Sequence, residues 1–407
     1  AFDYIRNEIF EANDWFNNAR KLPQPATRQN DFGFVLGGPI LLPRFGEGGR
    51  QPWFNGKNST FFFFSYEGLR LRLPQSRSVD VPSPAARQAA PANIRTILNA
   101  YPLPNGPNRL GTNGQPNGWA IYNASFSNPS NLDATSVRID HAAGNRMTFF
   151  GRYNYSPSSV IERAQAGAFS VNGLAYYAVT THTLTGGATI MFTPNINSEI
   201  RLNYSRNTAP NFFDADNLGG AVMPPESVLF PAGTSPARDV VLVSFTGFPG
   251  TSLQLGTAAE NVQRQFNVVG NLSVVANTHQ LKFGTDYRRL TPVVQPQLYS
   301  LSVRFAGIGT PGAATQPAGA ALSGNVQSAG ITTQLETRFP LFTNLSVYGQ
   351  DTWKVSRRLT LNYGIRWELN LPPSELSGRF PATVIGLDNP AKATIAPPGT
   401  PLWNSNY

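Results

Sequence analysis

The stretch LTLNYGIRWEL, residues Leu359–Leu369, alternates large apolar side chains with small or polar ones over its whole length. Successive side chains of a strand point to opposite faces, so such a strand has one apolar face and one polar face. The apolar face would carry Leu359, Leu361, Tyr363, Ile365, Trp367 and Leu369. About eleven residues suit a tilted strand that crosses a bilayer, whereas most strands of soluble proteins have about five or six. The stretch therefore predicts a strand of a transmembrane β-barrel, with a half-buried strand of a soluble sandwich as the alternative.

The composition of the 407 residues fits a membrane barrel better than a soluble domain. Apolar residues make up 41% of the chain and charged residues only 14%, against about a quarter charged in ordinary soluble domains. The mean hydropathy is -0.23, and no window of about 19 residues is continuously apolar, so the sequence predicts no transmembrane helix. Any crossing of a membrane would use strands.

Several classes of function are excluded or disfavoured by the same composition. The chain has no cysteine, which rules out disulfides, thiolate metal sites and a cysteine nucleophile. The formal net charge is +9, but the Lys and Arg residues are scattered singly, so we expect no nucleic-acid partner. The first residues, from Ala1, contain no basic segment followed by an apolar one, and hence no signal peptide.

Four hairpins of alternating strands recur along the chain, each with a tight polar turn. They pair residues 136–140 with 147–155, 181–193 with 196–206, 261–275 with 280–290, and 344–354 with 359–369. Further strands are predicted at 2–10, 32–42 and 60–73. The total of about eleven is half of the 22 strands in the large outer-membrane transporters. We therefore predict an all-β, antiparallel up-and-down transmembrane barrel, present as a fragment.

Long connections rich in Gly, Pro, Ala and Ser separate these hairpins, at about residues 76–133, 156–176, 207–260 and 291–334. A short helix is predicted within the first of them, at residues 85–98. Strict alternation of short turns and long loops is typical of bacterial outer-membrane barrels, whose turns are periplasmic and whose loops are extracellular. The long connections are thus predicted to be extracellular loops.

Charged and aromatic residues sort onto opposite faces of the predicted strands. Charges of both signs on one face need a wet lumen and partners on neighbouring strands. The polar faces carry Arg138, Asp140, Arg152, Asn203, Lys282, Asp286, Arg288, Arg366 and Glu368. The apolar faces carry aromatic residues toward the strand ends, as membrane-interface girdles do: Tyr153, Tyr155, Tyr204, Tyr287, Trp353 and Trp367. Ordinary core packing of these rings is the alternative.

No residue pattern predicts catalysis, a cofactor or a metal. His141, His182 and His279 have no ligand spacing. Asp214 and Asp216 lack the glycine and distal glutamate of a calcium loop. The glycines of FGEGGR, residues 45–50, fit no phosphate-binding pattern and look like turn glycines. We therefore predict no enzyme, no cofactor, and no metal or catalytic residue.

Two further segments invite a functional interpretation. Asp351 and Trp353 interrupt the apolar face near a turn, where we expect them to anchor the strand at the membrane interface. The aromatic and Asn-rich segment NGQPNGWAIYN, residues 113–123, would suit stacking on sugars, although such aromatic residues more often pack the loop itself. The ligand-binding residues stay unassigned.

Segments along nearly the whole chain resemble the barrel of TonB-dependent receptors, in particular the Oar-like group. They are YIRNEIFEANDWFN (4–17), RQNDFGFVLGGPI (28–40), KNSTFFFFSYEGLR (57–70), VRIDHAAGNRMTFFGRYNYS (137–156), FTPNINSEIRLNYSR (192–206), THQLKFGTDYRR (278–289) and LSVYGQDTWKVSRRLTLNYGIRWE (345–368). The last and RQNDFGFVLGGPI are the most specific. The resemblance implies that residues 1–407 are the N-terminal part of a 22-stranded barrel in the outer membrane, truncated at both ends, with its plug and TonB box elsewhere.

The resemblance also implies the function and the partners. The expected function is active uptake of a scarce extracellular ligand, driven by the proton gradient through TonB, ExbB and ExbD, with outer-membrane lipid around the barrel. One alternative is a surface barrel whose loops bind a partner or polymer, or assist protein export. A weaker alternative is a soluble secreted β-protein.

Overall fold

The computed structural model describes residues 1–43, 53–111, 114–165, 168–245, 248, 250–305, 324–334, 336–379, 383–397 and 400. Its strands are β1 (Phe2–Asn7), β2 (Arg28–Pro39), β3 (Leu41–Pro43), β4 (Trp53–Asn55), β5 (Thr60–Pro82), β6 (Asn108–Leu110), β7 (Pro116–Ala143), β8 (Met147–Arg163), β9 (Gly173–Thr193), β10 (Ile196–Ala215), β11 (Val240–Phe245), β12 (Leu253–Ala276), β13 (His279–Val294), β14 (Gln297–Phe305), β15 (Val326–Gln334), β16 (Pro340–Lys354), β17 (Thr360–Asn370), β18 (Ser374–Glu375), β19 (Val384–Ile385) and β20 (Thr394–Ile395).

The helices are few and short: α1 (Trp15–Ala19), α2 (Pro84–Ala89), α3 (Ala92–Leu98) and α4 (Glu226–Leu229). The helix predicted at residues 85–98 is present but divided, because Pro91 cannot continue α2 and instead precedes α3. Among the described residues, no helix is long and apolar enough to cross a membrane.

Eleven strands form one continuous antiparallel wall, in the order β1-β2-β5-β7-β8-β9-β10-β12-β13-β16-β17. Each strand pairs with the next long strand along the chain, which is up-and-down topology. Every one of the eleven predicted strands overlaps one of these, so the predicted architecture is confirmed. A smaller group, β11-β14-β15, branches from the first residues of β12, and β11 and β14 run parallel.

The two ends of the wall differ as the sequence predicted. At one end, here the turn end, residues 144–146, 194–195, 277–278 and 355–359 make tight connections, and residues 40–59 join β2 to β5. At the other, the loop end, the connections are residues 8–27, 83–115, 164–172, 216–252 and 295–339. The turn at Asn277 has φ of 54°, a left-handed conformation that Asn tolerates better than most residues.

The boundaries of the predicted loops were wrong, because the strands continue well into them. β5 runs to Pro82 and pairs with β7 without a register shift, down to Trp119. Segments 76–82 and 116–133 are therefore strand, and β8, β9, β10, β12 and β13 extend in the same way. These extensions do not follow the one-sided apolar alternation of a crossing strand, since consecutive residues such as Val79, Asp80 and Val81 are all buried. Placement of the loops outside the cell stays a prediction.

The faces of the wall match the sequence pattern. On one, here the outer face, neighbouring strands align apolar side chains in register, for example Val137, Tyr153, Leu184, Tyr204 and Phe266. These side chains are exposed, and so is Ile365, with 78% of its surface accessible. A large continuous exposed apolar surface is the property that a lipid-facing wall requires.

Candidate functional site

The opposite, inner face of the wall carries four ion pairs within single strands. Arg138 pairs with Asp140 on β7 at 2.6 Å, and Arg366 with Glu368 on β17 at 2.6 Å. Arg288 lies 3.7 Å from Asp286 on β13, and Arg201 contacts Glu199 on β10. Residues two apart in a strand share a face, so each pair needs no other strand to form. The expectation of ionic partners on neighbouring strands was therefore wrong for these arginines.

Other polar contacts on the inner face do cross between strands. The Asn267 amide donates to Asp286 at 2.6 Å, and Asn203 Nδ2 donates to Thr185 Oγ1 at 2.8 Å. Arg152 donates to Ser136 Oγ at 3.0 Å, and the Arg138 guanidinium stacks 4.3 Å above the centroid of Phe150. The predicted polar face therefore carries hydrogen bonds between side chains of neighbouring strands. We call this set of inner-face polar residues the polar lane.

The loop end carries a second structural feature, a folded cap with its own apolar core. The core members all lie at strand ends or connections of this end: Val79, Val81, Ala90, Ile94, Leu98, Ala100, Tyr101, Trp119, Tyr122, Ala124, Ala164, Val171, Leu229, Phe230, Val241, Val243, Phe245, Leu253, Leu255 and Phe305. Trp119 is fully buried, stacks on Phe248 at 4.3 Å and meets the edge of Phe245 at 5.3 Å. The long connections therefore pack on one another.

Hydrogen bonds between distant connections fasten the cap. Tyr101 OH donates to the carbonyl of Thr251 at 2.8 Å, and burial raises the pKa of this phenol. The buried amide of Asn172 donates to the carbonyl of Ala100 at 2.8 Å. These two bonds join connections 83–115, 164–172 and 216–252, so their relative positions are fixed.

One buried cation holds the base of the helical part of the cap. Arg87 on α2 donates to the carbonyls of Pro82, Tyr101 and Pro102 at 3.0, 2.9 and 2.5 Å. Burial lowers the pKa of Arg87 to about 10. The side chain thus satisfies three backbone carbonyls at the cost of a desolvated charge.

One of the two aspartates considered for calcium, Asp216, takes part in an ion pair. Arg163 at the end of β8 donates to both carboxylate oxygens of Asp216, at 3.0 Å to Oδ1. Burial alone would raise the pKa of Asp216, but the bonds and charge of Arg163 hold it below its usual value. Asp216 therefore ties the β8 and β10 ends together. No group of three or more potential metal ligands occurs among the described residues.

The aromatic segment considered for sugars lies inside the cap. Trp119 is fully buried and Tyr122 is nearly so, so these rings pack the loop and do not offer a stacking surface. Asn113 and the glycine-rich residues 45–50 lie outside the described residues.

A polar cluster on the outer face near the turn end was missed in sequence reasoning. His279 Nδ1 lies 2.6 Å from Asp351 Oδ2, and Tyr363 OH donates to the same oxygen at 2.8 Å. The His279 ring stacks on Trp353 at 5.3 Å. Three adjacent strands, β13, β16 and β17, are joined by one carboxylate. The signal that could have revealed it is that His279 and Asp351 are both polar residues at apolar-face positions near the turn ends of neighbouring strands.

The remaining histidines also have local partners. His141 Nδ1 lies 2.8 Å from Thr60 Oγ1, and His182 Nδ1 lies 2.8 Å from Tyr153 OH. His182 also faces the Tyr155 ring at 5.0 Å. Two of the predicted girdle tyrosines, both on β8, therefore contact His182 of β9 on the outer face.

The wall is antiparallel and up-and-down, with an apolar exterior and a polar interior, and it has tight turns at one end and long connections at the other. These features define an outer-membrane β-barrel protein. The chain belongs to the family of outer membrane beta barrel domains, whose sequence profile matches residues 1–97 and 89–407. It therefore lies in the outer membrane. No curated protein matches the chain in sequence.

Solved structures of an outer-membrane transporter and of an outer-membrane receptor align with the chain, and the transporter shares its fold. The outer membrane transporter YddB from Escherichia coli superposes with a TM-score of 0.51 at 10% identity, covering 90% of this chain and 38% of YddB. BauA, the ferric preacinetobactin receptor from Acinetobacter baumannii, gives a TM-score of 0.33 at 13% identity, covering 84% of this chain and 50% of BauA. The chain thus spans about two fifths to half the length of these proteins. At such identities the likeness concerns the fold alone.

Proposed function

We propose that the chain is part of a TonB-dependent transporter of the Oar-like group, which takes up a scarce extracellular ligand actively through a plugged barrel of 22 strands. The observation that carries the proposal is the combination of a polar lane on the inner face with a folded cap at the loop end. A capture surface outside and a wet path inside are the two parts that uptake through a barrel needs.

The energy for this uptake would come from the inner-membrane proton gradient, delivered by TonB with ExbB and ExbD. The resemblance of segments such as residues 345–368 to TonB-dependent receptors supports this mechanism. We expect the plug and the TonB box in parts of the protein other than this wall. No enzymatic step is proposed.

A second candidate is a surface barrel that binds a partner or polymer, or assists export, without import. The folded cap favours it, because a rigid head with its own core could serve as a binding surface by itself. The soluble secreted alternative is not retained, since the chain belongs to an outer-membrane family.

The test compares three strains of the source bacterium: wild type, a deletion of the gene and a deletion of tonB. Each grows in the same complex medium, and mass spectrometry follows the removal of compounds from that medium. We expect at least one compound to be removed by the wild type and to be left by both deletion strains. A compound that needs this gene but not tonB would contradict energy coupling, and removal of every compound by the gene-deletion strain would favour the second candidate.

A further inference from the structure

A cavity of about 660 Å³ lies at the loop end, between connection 8–27 and residues 74–78 of β5. Pairing of β2 with β5 ends at Arg28 and Arg72. Beyond this point β2 no longer covers the edge of β5, and the connection that follows β1 folds back against it. The volume lies within the range of about 300–1,000 Å³ that ligand sites occupy.

The connection is held against β5 and β7 by its own hydrogen bonds. Ser76 Oγ donates to Asn17 Oδ1 at 2.6 Å, and Asn17 is fully buried. Ser125 Oγ donates to the carbonyl of Pro23 at 2.6 Å. Asp14 caps α1 by accepting from Phe16 N at 2.8 Å. The walls of the cavity are therefore formed before any ligand arrives, which lowers the entropy cost of binding.

Polar side chains of both kinds line the cavity. Asp14 supplies carboxylate acceptors, Arg20 and Arg77 supply donors, and Gln75 supplies both. With Glu11, the lining has two acidic and two basic side chains, and their formal charges balance.

An aromatic platform adjoins these polar groups. Phe16 lines the cavity and is 57% exposed. Trp15 packs edge-on against it with ring centroids 5.1 Å apart. An exposed, supported ring beside mixed donors and acceptors can pack against the C–H face of a ring-shaped ligand whose hydroxyls reach the polar groups.

We propose that this cavity binds a neutral oligosaccharide and that this is the ligand captured for uptake, an inference that rests on the proposed function. Hydroxyl groups donate and accept at once, so they match a lining of amides, carboxylates and guanidinium groups. A balanced lining offers no net attraction to a strongly charged ligand such as a ferric chelate. The volume accommodates several sugar rings.

The test measures binding to the full-length protein, purified from outer membranes in detergent. An array of neutral and acidic oligosaccharides identifies the best neutral probe, and calorimetry then gives its Kd. Phe16→Ala should weaken binding by about three- to tenfold, as expected for loss of one stacked ring. Phe10→Ala is the matched control, because Phe10 is an exposed ring of the same connection and does not line the cavity.

Gln75→Ala is the second variant, because Gln75 lines the cavity from β5 and its replacement leaves α1 intact. It should also weaken binding of the neutral probe. All three variants should keep the heat-dependent shift in electrophoretic mobility that marks a folded barrel. The assignment would be overturned if no neutral oligosaccharide bound or if acidic probes bound more tightly. It would also be overturned if Phe16→Ala and Phe10→Ala bound the neutral probe equally well. Because the binding assay contains no TonB, it tests the cavity separately from the transport mechanism. If the protein binds the oligosaccharide but the tonB deletion strain still removes it from the medium, the transport proposal is refuted and the assignment of the cavity stands.

Discussion

The face assignment of the wall can be tested most sharply by an arginine at Leu202 and another at Asn203. Leu202 lies on the outer face of β10, opposite Gly186 on β9 and Val268 on β12. It is six residues beyond Ile196 at the turn end, about 20 Å along the strand at about 3.4 Å per residue. A tilt of about 45° converts this to about 14 Å of depth, close to the midplane of a hydrocarbon core of about 30 Å.

An arginine at Leu202 should therefore lower the free energy of unfolding by about 2–4 kcal/mol, the cost of a lipid-facing cation near the midplane. Asn203 faces the polar lane and donates to Thr185 Oγ1 at 2.8 Å, so Asn203→Arg loses one hydrogen bond, about 0.5–1.5 kcal/mol. Tyr204→Arg, two residues nearer the loop-end interface on the outer face, should fall between them.

The assay is urea unfolding of the full-length protein in lipid vesicles, followed by tryptophan fluorescence, with the heat-modifiable fraction in cells as a second measurement. The order Leu202→Arg, Tyr204→Arg, Asn203→Arg from most to least destabilised is the expected result. Equal losses for Leu202→Arg and Asn203→Arg, or a larger loss for Asn203→Arg, would refute the assignment of faces and the depth estimate with it.

Three other perturbations have defined outcomes. Asp351→Ala removes the shared acceptor of His279 and Tyr363 and should lower the unfolding free energy by about 1.5–3 kcal/mol. An unchanged urea midpoint would show that the cluster does not stabilise the wall. Trp119→Ala should destabilise the cap by about 3–5 kcal/mol. The loss should appear as faster protease cleavage in the loop connections, while the barrel keeps its heat-modifiable electrophoretic mobility. Cleavage at the wild-type rate would contradict a shared core. Burial alone would raise the pKa of Glu375, but hydrogen bonds from backbone amides and a serine hydroxyl lower it to about 2. The contribution of Glu375 to stability is therefore complete above its ordinary pKa of 4.5 and is lost as the pH falls toward 2. Glu375→Gln should speed hydrogen exchange of those backbone amides at pH 6 and make no difference near pH 2.

The crossing strands could be predicted from the sequence because lipid imposes a pattern on them. A strand such as β17 must present apolar side chains to the bilayer and polar ones to the lumen, so its alternation is visible in the letters alone. The upper part of β5 carries no such requirement. Pro74 and Pro82 lie in it, yet it pairs with β7 throughout, and a local pattern could not distinguish it from a loop.

The cap could not be predicted for a different reason. Its core joins residues that are far apart in sequence, such as Tyr101 and Thr251, and nothing local marks them as partners. The cluster around Asp351 has the same origin, since it appears only once the registers of β13, β16 and β17 are known. Sequence periodicity thus reveals which residues face lipid, while contacts between connections depend on the assembled wall.

The ion pairs of the inner face bear on which ligands the lumen admits. Each of the arginines Arg138, Arg201, Arg288 and Arg366 has its acidic partner two residues away on the same strand. Opposite charges this close largely cancel at a distance, so these pairs add little net field to the lumen. The eight side chains of these pairs therefore supply hydrogen-bonding groups to the inner face without a strong field of their own. That property suits the neutral, hydroxyl-rich ligand inferred for the cavity at the loop end, from an observation independent of the cavity itself.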